Sequence, residues 1–192
     1  MTQLALIRHL PTAWNEAGLL QGRADPGLAD DAMAGWRAPR EFDGFRWLSS
    51  PLTRCQETAR RLGIDAAAEP RLTEMDWGEW EGYALAELRA RLGDAMAANE
   101  SKGLDFRPPG GESPRDVQER LKPLLADIAA SHRNTAAVTH KGVIRAVLAL
   151  ATGWEMLGKP PHRLSWSAAH LFSLDAGGHP AVERLNIAME RR

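Results

Sequence analysis

The feature that most constrains this chain is a short apolar run that ends in positive charge. Residues 4–7 (LALI) are all apolar, and Arg8 and His9 follow directly. A run so short, closed by polar residues, reads as a strand buried in a sheet. The layout recurs twice. Residues 136–139 form an apolar strand that stops at His140, and residues 45–48 form a strand that runs into "SSPLTRCQETARRL". That segment is predicted to be a helix with Ser50 as N-cap and Pro51 at the first helical position. Leu52, Cys55, Ala59 and Leu62 mark its apolar face, and Arg54 falls in its first turn.

The rest of the chain continues the alternation of strand and helix. A third strand is predicted at 66–68, and a helix rich in Ala, Leu, Glu and Arg over 84–98. "RPPGGESPRD" is a loop, after which Ser113, Pro114 and Asp116 open a helix in capping-box fashion. Pro123 should kink that helix. A largely buried helix follows over 142–151, then a Gly- and Pro-punctuated loop over 153–161. Strands at 171–174 and 181–186, separated by "DAGGHP", close the chain. The pattern predicts a single domain over 1–192, an α/β three-layer sandwich with a mainly parallel central sheet.

Placement of polar residues then gives the chemistry. Arg8 and His9 follow a strand, Arg54 lies at a helix start entered from a strand, and His140 joins a strand to a helix. In an open parallel sheet the strand C-termini converge on one edge, where ligands bind. Helix N-termini at that edge favour anions. Two arginines and two histidines are therefore predicted to meet around one anion. A phosphoryl group fits, because guanidinium groups pair with phosphate oxygens. A neutral imidazole nitrogen there can attack phosphorus. Arg8 and Arg54 would keep His9 uncharged. A carboxylic acid of raised pKa would still be needed to protonate the leaving oxygen.

Composition excludes other classes. Lys plus Arg is 24 against 25 Asp plus Glu, and no basic run suggests a nucleic-acid groove. No apolar stretch is long enough to span a bilayer, and the N-terminus has no signal-peptide pattern. The single cysteine, Cys55, fits a reducing cytoplasm. The six histidines show no metal-ligand spacing, so neither a metal nor another cofactor is expected. His132, His162, His170 and His179 are read as ordinary structural or surface residues. The tryptophans are read as packing residues, with Trp77 and Trp80 able to line a pocket. Oligomeric state is left open, a homodimer included.

Taken in order, these segments resemble the histidine phosphatase superfamily, which includes phosphoglycerate mutases and small phosphomonoesterases. "RHLPTAWN" is similar to its RHGxTxxN signature, with Leu10 in place of glycine. "LQGRADPGL", "SSPLTRCQETA", "RLTEMDWGEWEG", "PPGGES" and "VTHKGVIR" resemble further family segments, and the matches run from Arg8 to Arg145. The resemblance implies His9 as nucleophile, Glu74 as acid and then base, and His140 as a catalytic phosphate ligand. It implies that Arg8 and Arg54 hold phosphoryl oxygens, and that Asn15, Gln21 and Gly22 contact the phosphate or close over it. No metal or cofactor is implied, and the substrate would be a small phosphorylated metabolite.

Hydrolysis is favoured over mutase-type transfer, because Met75 rather than a basic residue follows Glu74 and the segment 81–112 carries few cations. "EMDWGEWEG" and "PPGGES" look most like alpha-ribazole phosphatases, though they also occur in broad-specificity enzymes. A non-catalytic phosphate-binding domain is disfavoured because His9, Glu74 and His140 are all present. The leaving group is expected between 81–112 and 153–161. Leucine at positive φ would cost about 1–2 kcal/mol. Leu10 is therefore expected to keep negative φ and to point away from the phosphate.

Overall fold

In a computed structural model, which describes residues 1–29 and 35–191, strand β1 (Thr2–Arg8) lies inside a six-stranded sheet. β5 (Thr135–Thr139) pairs with it in parallel and β6 (Ala168–Leu174) antiparallel. β3 (Arg46–Ser49) extends the parallel side beyond β5, and β4 (Ala67–Ala68) ends it. β7 (Pro180–Ala188) closes the other side, antiparallel to β6. The order β4-β3-β5-β1-β6-β7 is the predicted mainly parallel sheet, with its two closing strands turned antiparallel. A short pair missing from the sequence reading, β2 (Trp36–Arg37) with β8 (Glu190–Arg191), ties the C-terminus to the body.

The apolar run of β1 is explained by two cores. Successive strand residues point to opposite faces. Leu4 and Leu6 join the cluster under α5 (Pro114–Ala130) and α6 (Lys141–Thr152). Ala5 and Ile7 join the opposite one, with Phe42 and Leu62. Leu62 belongs to α2 (Thr53–Leu62), whose Cys55 and Ala59 pack on Val138 of β5. Helices therefore cover both faces, and the central strands must be apolar throughout.

Two local expectations change. Helix α2 starts at Thr53, not Pro51, and its N-cap Leu52 makes no side-chain cap. The Asp25 carboxylate, from a distant loop, accepts the first backbone N–H groups, those of Thr53 and Arg54. Ser50 Oγ accepts the N–H of Leu52 just ahead of the helix, at 3.3 Å, and also meets His140. The helix predicted over 84–98 is two helices, α3 (Leu85–Leu92) and α4 (Asp94–Glu100), broken at Gly93. Gly93 takes φ +50°, ψ −124°, a backbone state that side chains oppose. Helix α5 runs without interruption through Pro123, which lies on its exposed side. The Ser113–Asp116 capping box forms as predicted.

Candidate active site

The C-terminal ends of β1, β3 and β5 deliver the site. β1 ends at Arg8, and the His9 backbone N–H donates to Thr139 O at 2.8 Å. That bond holds the ends of β1 and β5 together, so the His9 and His140 rings sit 5.2 Å apart. His9 Nδ1 lies 2.7 Å from the backbone oxygen of Leu10. A carbonyl only accepts, so Nδ1 carries the proton and Nε2 keeps its lone pair. Burial, then the neighbouring Arg8 charge, lowers the His9 pKa to about 3. The neutral imidazole expected from the arginines is thus present, with burial as the larger cause.

His140 is fully buried at the start of α6, and its Nε2 meets Ser50 Oγ at 2.8 Å. Its pKa falls well below the usual histidine value through burial, then Arg54 and His9. Cys55 also touches this ring, at 3.4 Å from Nε2. Burial pushes its thiol pKa up, leaving a neutral packing group rather than a nucleophile.

Arg54 has no exposed surface, and its guanidinium donates to acceptors from 21–25. It donates to Gly22 O (2.8 Å), Ala24 O (2.9 Å) and Asp25 Oδ1 (3.0 Å). Gln21 completes the set when its amide is oriented to satisfy both ends: its oxygen faces Arg54 Nε and Nη1 at 3.2 Å and its nitrogen faces Thr12 Oγ1 at 2.8 Å. Glu81 fixes that segment by accepting the backbone N–H groups of Arg23 (2.6 Å) and Ala24 (2.7 Å). Gly22 has no room for a side chain, since a Cβ there would lie 2.2 Å from Glu81 Oε1. Asn15 and Thr12 form a capping box at α1 (Ala13–Glu16). Gln21 and Gly22 therefore act on Arg54, and Asn15 shapes the turn beside them. Arg8 differs: its Nε is buried with no acceptor among the described residues, and its guanidinium lies 5.8 Å over Trp166.

Glu74 is buried, and burial raises its pKa against the pull of two backbone N–H bonds and both arginines. Met75 N–H donates to Oε1 (2.8 Å) and Gly142 N–H to Oε2 (3.1 Å). Arg120 of α5 clamps the loop from behind, donating to Arg71 O, Thr73 O and Glu74 O. A Cβ at Gly142 would lie 2.2 Å from Glu74 Oε1. Gly142→Ala should displace the carboxyl and cut kcat on alkyl phosphates at least tenfold. Circular dichroism should stay native, and steady-state kinetics at saturating substrate read the loss.

Leu10 is buried, and its N–H donates to Thr58 Oγ1 at 2.9 Å. Positive φ among the described non-glycine residues is confined to His132, Met156 and Asn186, so Leu10 keeps negative φ. A cavity of about 380 Å³ opens beside Met75 and Gly142. Trp77, Arg89, Phe106, Met156 and Leu157 help to line it, so both expected segments contribute. Trp80 instead packs in a separate cluster with Leu88 and Met96. Asp25, Glu81, Arg120 and Trp166 were absent from the predicted site. Asp25 and Glu81 carried a sequence signal, through their places in "LQGRADPGL" and "RLTEMDWGEWEG".

Comparison with known proteins identifies the family. The family model of the histidine phosphatase superfamily (branch 1) matches residues 4–188. The chain is 31% identical to a 2,3-bisphosphoglycerate-dependent phosphoglycerate mutase from Methylobacterium radiotolerans, over 90% of each chain. It is 30% identical to a glucosyl-3-phosphoglycerate phosphatase from Mycobacterium tuberculosis, over 81% of this chain and 80% of that one. The solved structure of a mycobacterial glucosyl-3-phosphoglycerate phosphatase shares the fold, with TM-score 0.77 and 23% identity over 98% of this chain and 100% of that one. The protein belongs to the histidine phosphatase superfamily.

Proposed function

We propose that this protein hydrolyses phosphomonoesters of small metabolites through a phosphohistidine on His9, with no metal. The observation that carries this reading is a neutral imidazole with Nδ1 tied to a carbonyl and Nε2 available. It sits beside two arginines and a buried carboxylic acid. The Nε2 lone pair attacks phosphorus while the bond to the leaving oxygen breaks, and Glu74 gives that oxygen its proton. Arg8, Arg54 and His140 hold the phosphoryl oxygens, where charge develops in the transition state. The orphaned Arg8 Nε–H has its acceptor in one of them. Glu74, now a carboxylate, takes a proton from water, which attacks phosphorus and breaks the P–N bond. Histidine and inorganic phosphate are regenerated. Asn15, Gln21 and Gly22 close the pocket by setting Arg54.

The whole of 1–192 acts as one domain. The unbridged, buried Cys55 supports a cytoplasmic setting, and among the described residues no helix is long and apolar enough to cross a membrane. Relatives include both a mutase and phosphatases. Met75 after Glu74 supports hydrolysis here, because no basic residue follows the acid in the chain. The test pairs phosphate release from p-nitrophenyl phosphate with interconversion of 3- and 2-phosphoglycerate. We expect release without interconversion; mutase flux with negligible release would overturn the ranking. Alpha-ribazole phosphate belongs in the substrate panel.

A further inference from the structure

We propose that a second anionic group on the substrate is read by a basic pocket built from α6 and the loop after it. The inference rests on the phosphatase reading above and names the substrate class: phosphomonoesters that carry another carboxylate or phosphate. A cavity of about 400 Å³ is lined by Lys141, Arg145, Lys159, His162, Arg163 and Trp166, and among the described residues no carboxylate stands in its wall.

The cations here are unlike most on this surface. Arg23, Arg37, Arg71, Arg89, Arg107, Arg115, Arg120 and Arg184 all pair with Asp or Glu. Among the described residues, Lys141, Arg145, Lys159 and Arg163 make no ion pair. Lys141 and Arg145 lie instead over tryptophan rings, Trp166 at 5.3 Å and Trp154 at 5.1 Å. Burial and mutual repulsion with Arg145 and Arg8 lower the Lys141 pKa, while Glu74 works the other way. Several like charges around one cavity without a counter-charge favour an anionic occupant.

The pocket adjoins the chemistry on both sides. Arg145 also lines the cavity beside Met75 and Gly142, and Trp166 also lines the one holding Arg8 and His9. Lys141 follows His140 in the chain, and Arg145 lies one helical turn further on the same face, about 6 Å along the axis. The leaving group thus has an apolar wall (Trp77, Phe106, Leu157) and a cationic end.

Matched substrates test this. The carboxylate arm compares 3-phosphoglycerate with glycerol 3-phosphate, and the phosphate arm compares fructose 1,6-bisphosphate with fructose 6-phosphate. The wild-type protein should prefer the anion-bearing member of at least one pair by about tenfold or more in kcat/KM. The arm that shows the preference identifies the anion. Lys159→Ala with Arg163→Ala, both exposed positions, should bring that selectivity toward one and should act through KM. Thermal stabilisation by 3-phosphoglycerate and by fructose 1,6-bisphosphate, read in both proteins, gives a measure independent of turnover. If no phosphate is released from any ester, the hydrolytic reading fails, and the stabilisation still decides the pocket. Absence of preference in both pairs overturns the proposal, as does an equal loss on both members or equal stabilisation of wild type and variant.

Discussion

Replacing His9 with alanine should abolish phosphate release, by roughly a thousandfold or more, with circular dichroism unchanged. Cys55 is a buried neutral thiol, and the His140 Nε2 is held against Ser50 Oγ at 2.8 Å, so neither is placed to take over the attack. Rapid acid-free quenching should trap phosphorus on the wild-type protein and none on the variant. Near-full activity in His9→Ala would remove the nucleophile assignment. The same variant has a second readout. The folded-state pKa of His9 lies at about 3, below the ordinary 6.5. Between those values the unfolded chain binds the proton and the folded one does not, so stability falls as pH is lowered. His9→Ala removes one such group, though His140 remains, and its stability should decline less steeply from pH 6.5 toward 3. Urea titrations at several pH values measure that slope.

Glu74→Gln should cost about 10²–10⁴-fold in kcat/KM on alkyl phosphates, whose leaving oxygen must be protonated. The loss should be far smaller on p-nitrophenyl phosphate, whose phenolate departs unaided. Because burial raises the Glu74 pKa and the acid form does the work, kcat/KM on alkyl esters should fall as pH rises through that value. The fall should vanish in Glu74→Gln. kcat/KM covers steps only up to alcohol release, so the later role of Glu74 with water does not enter it. Equal losses on both leaving groups would mean that Glu74 only shapes the pocket.

Much of this was legible because the strands deliver their polar residues in sequence. Arg8, His9 and His140 each end an apolar run, and a parallel sheet aligns such endings. Glu74 was reached through resemblance, since no periodicity marks it. The supports were hidden because they act across long separations. Asp25 caps a helix 28 residues away, and Arg120 holds a loop 46–49 residues distant. Such pairings depend on the packed geometry. The Ser50 cap failed for that reason: local preference favoured it, and a distant carboxylate displaced it. Gly93 split a helix whose composition was uniformly favourable, because propensity is summed over windows while one backbone state breaks the ladder.

The hold on His9 has a consequence for how this chain can diverge. What orients His9 is the main-chain oxygen of residue 10, and every amino acid has one. No side chain at that position is needed to fix the ring, and negative φ there imposes no demand for glycine. Position 10 can therefore take another side chain that keeps negative φ, keeps its N–H on Thr58 and fills the same buried space.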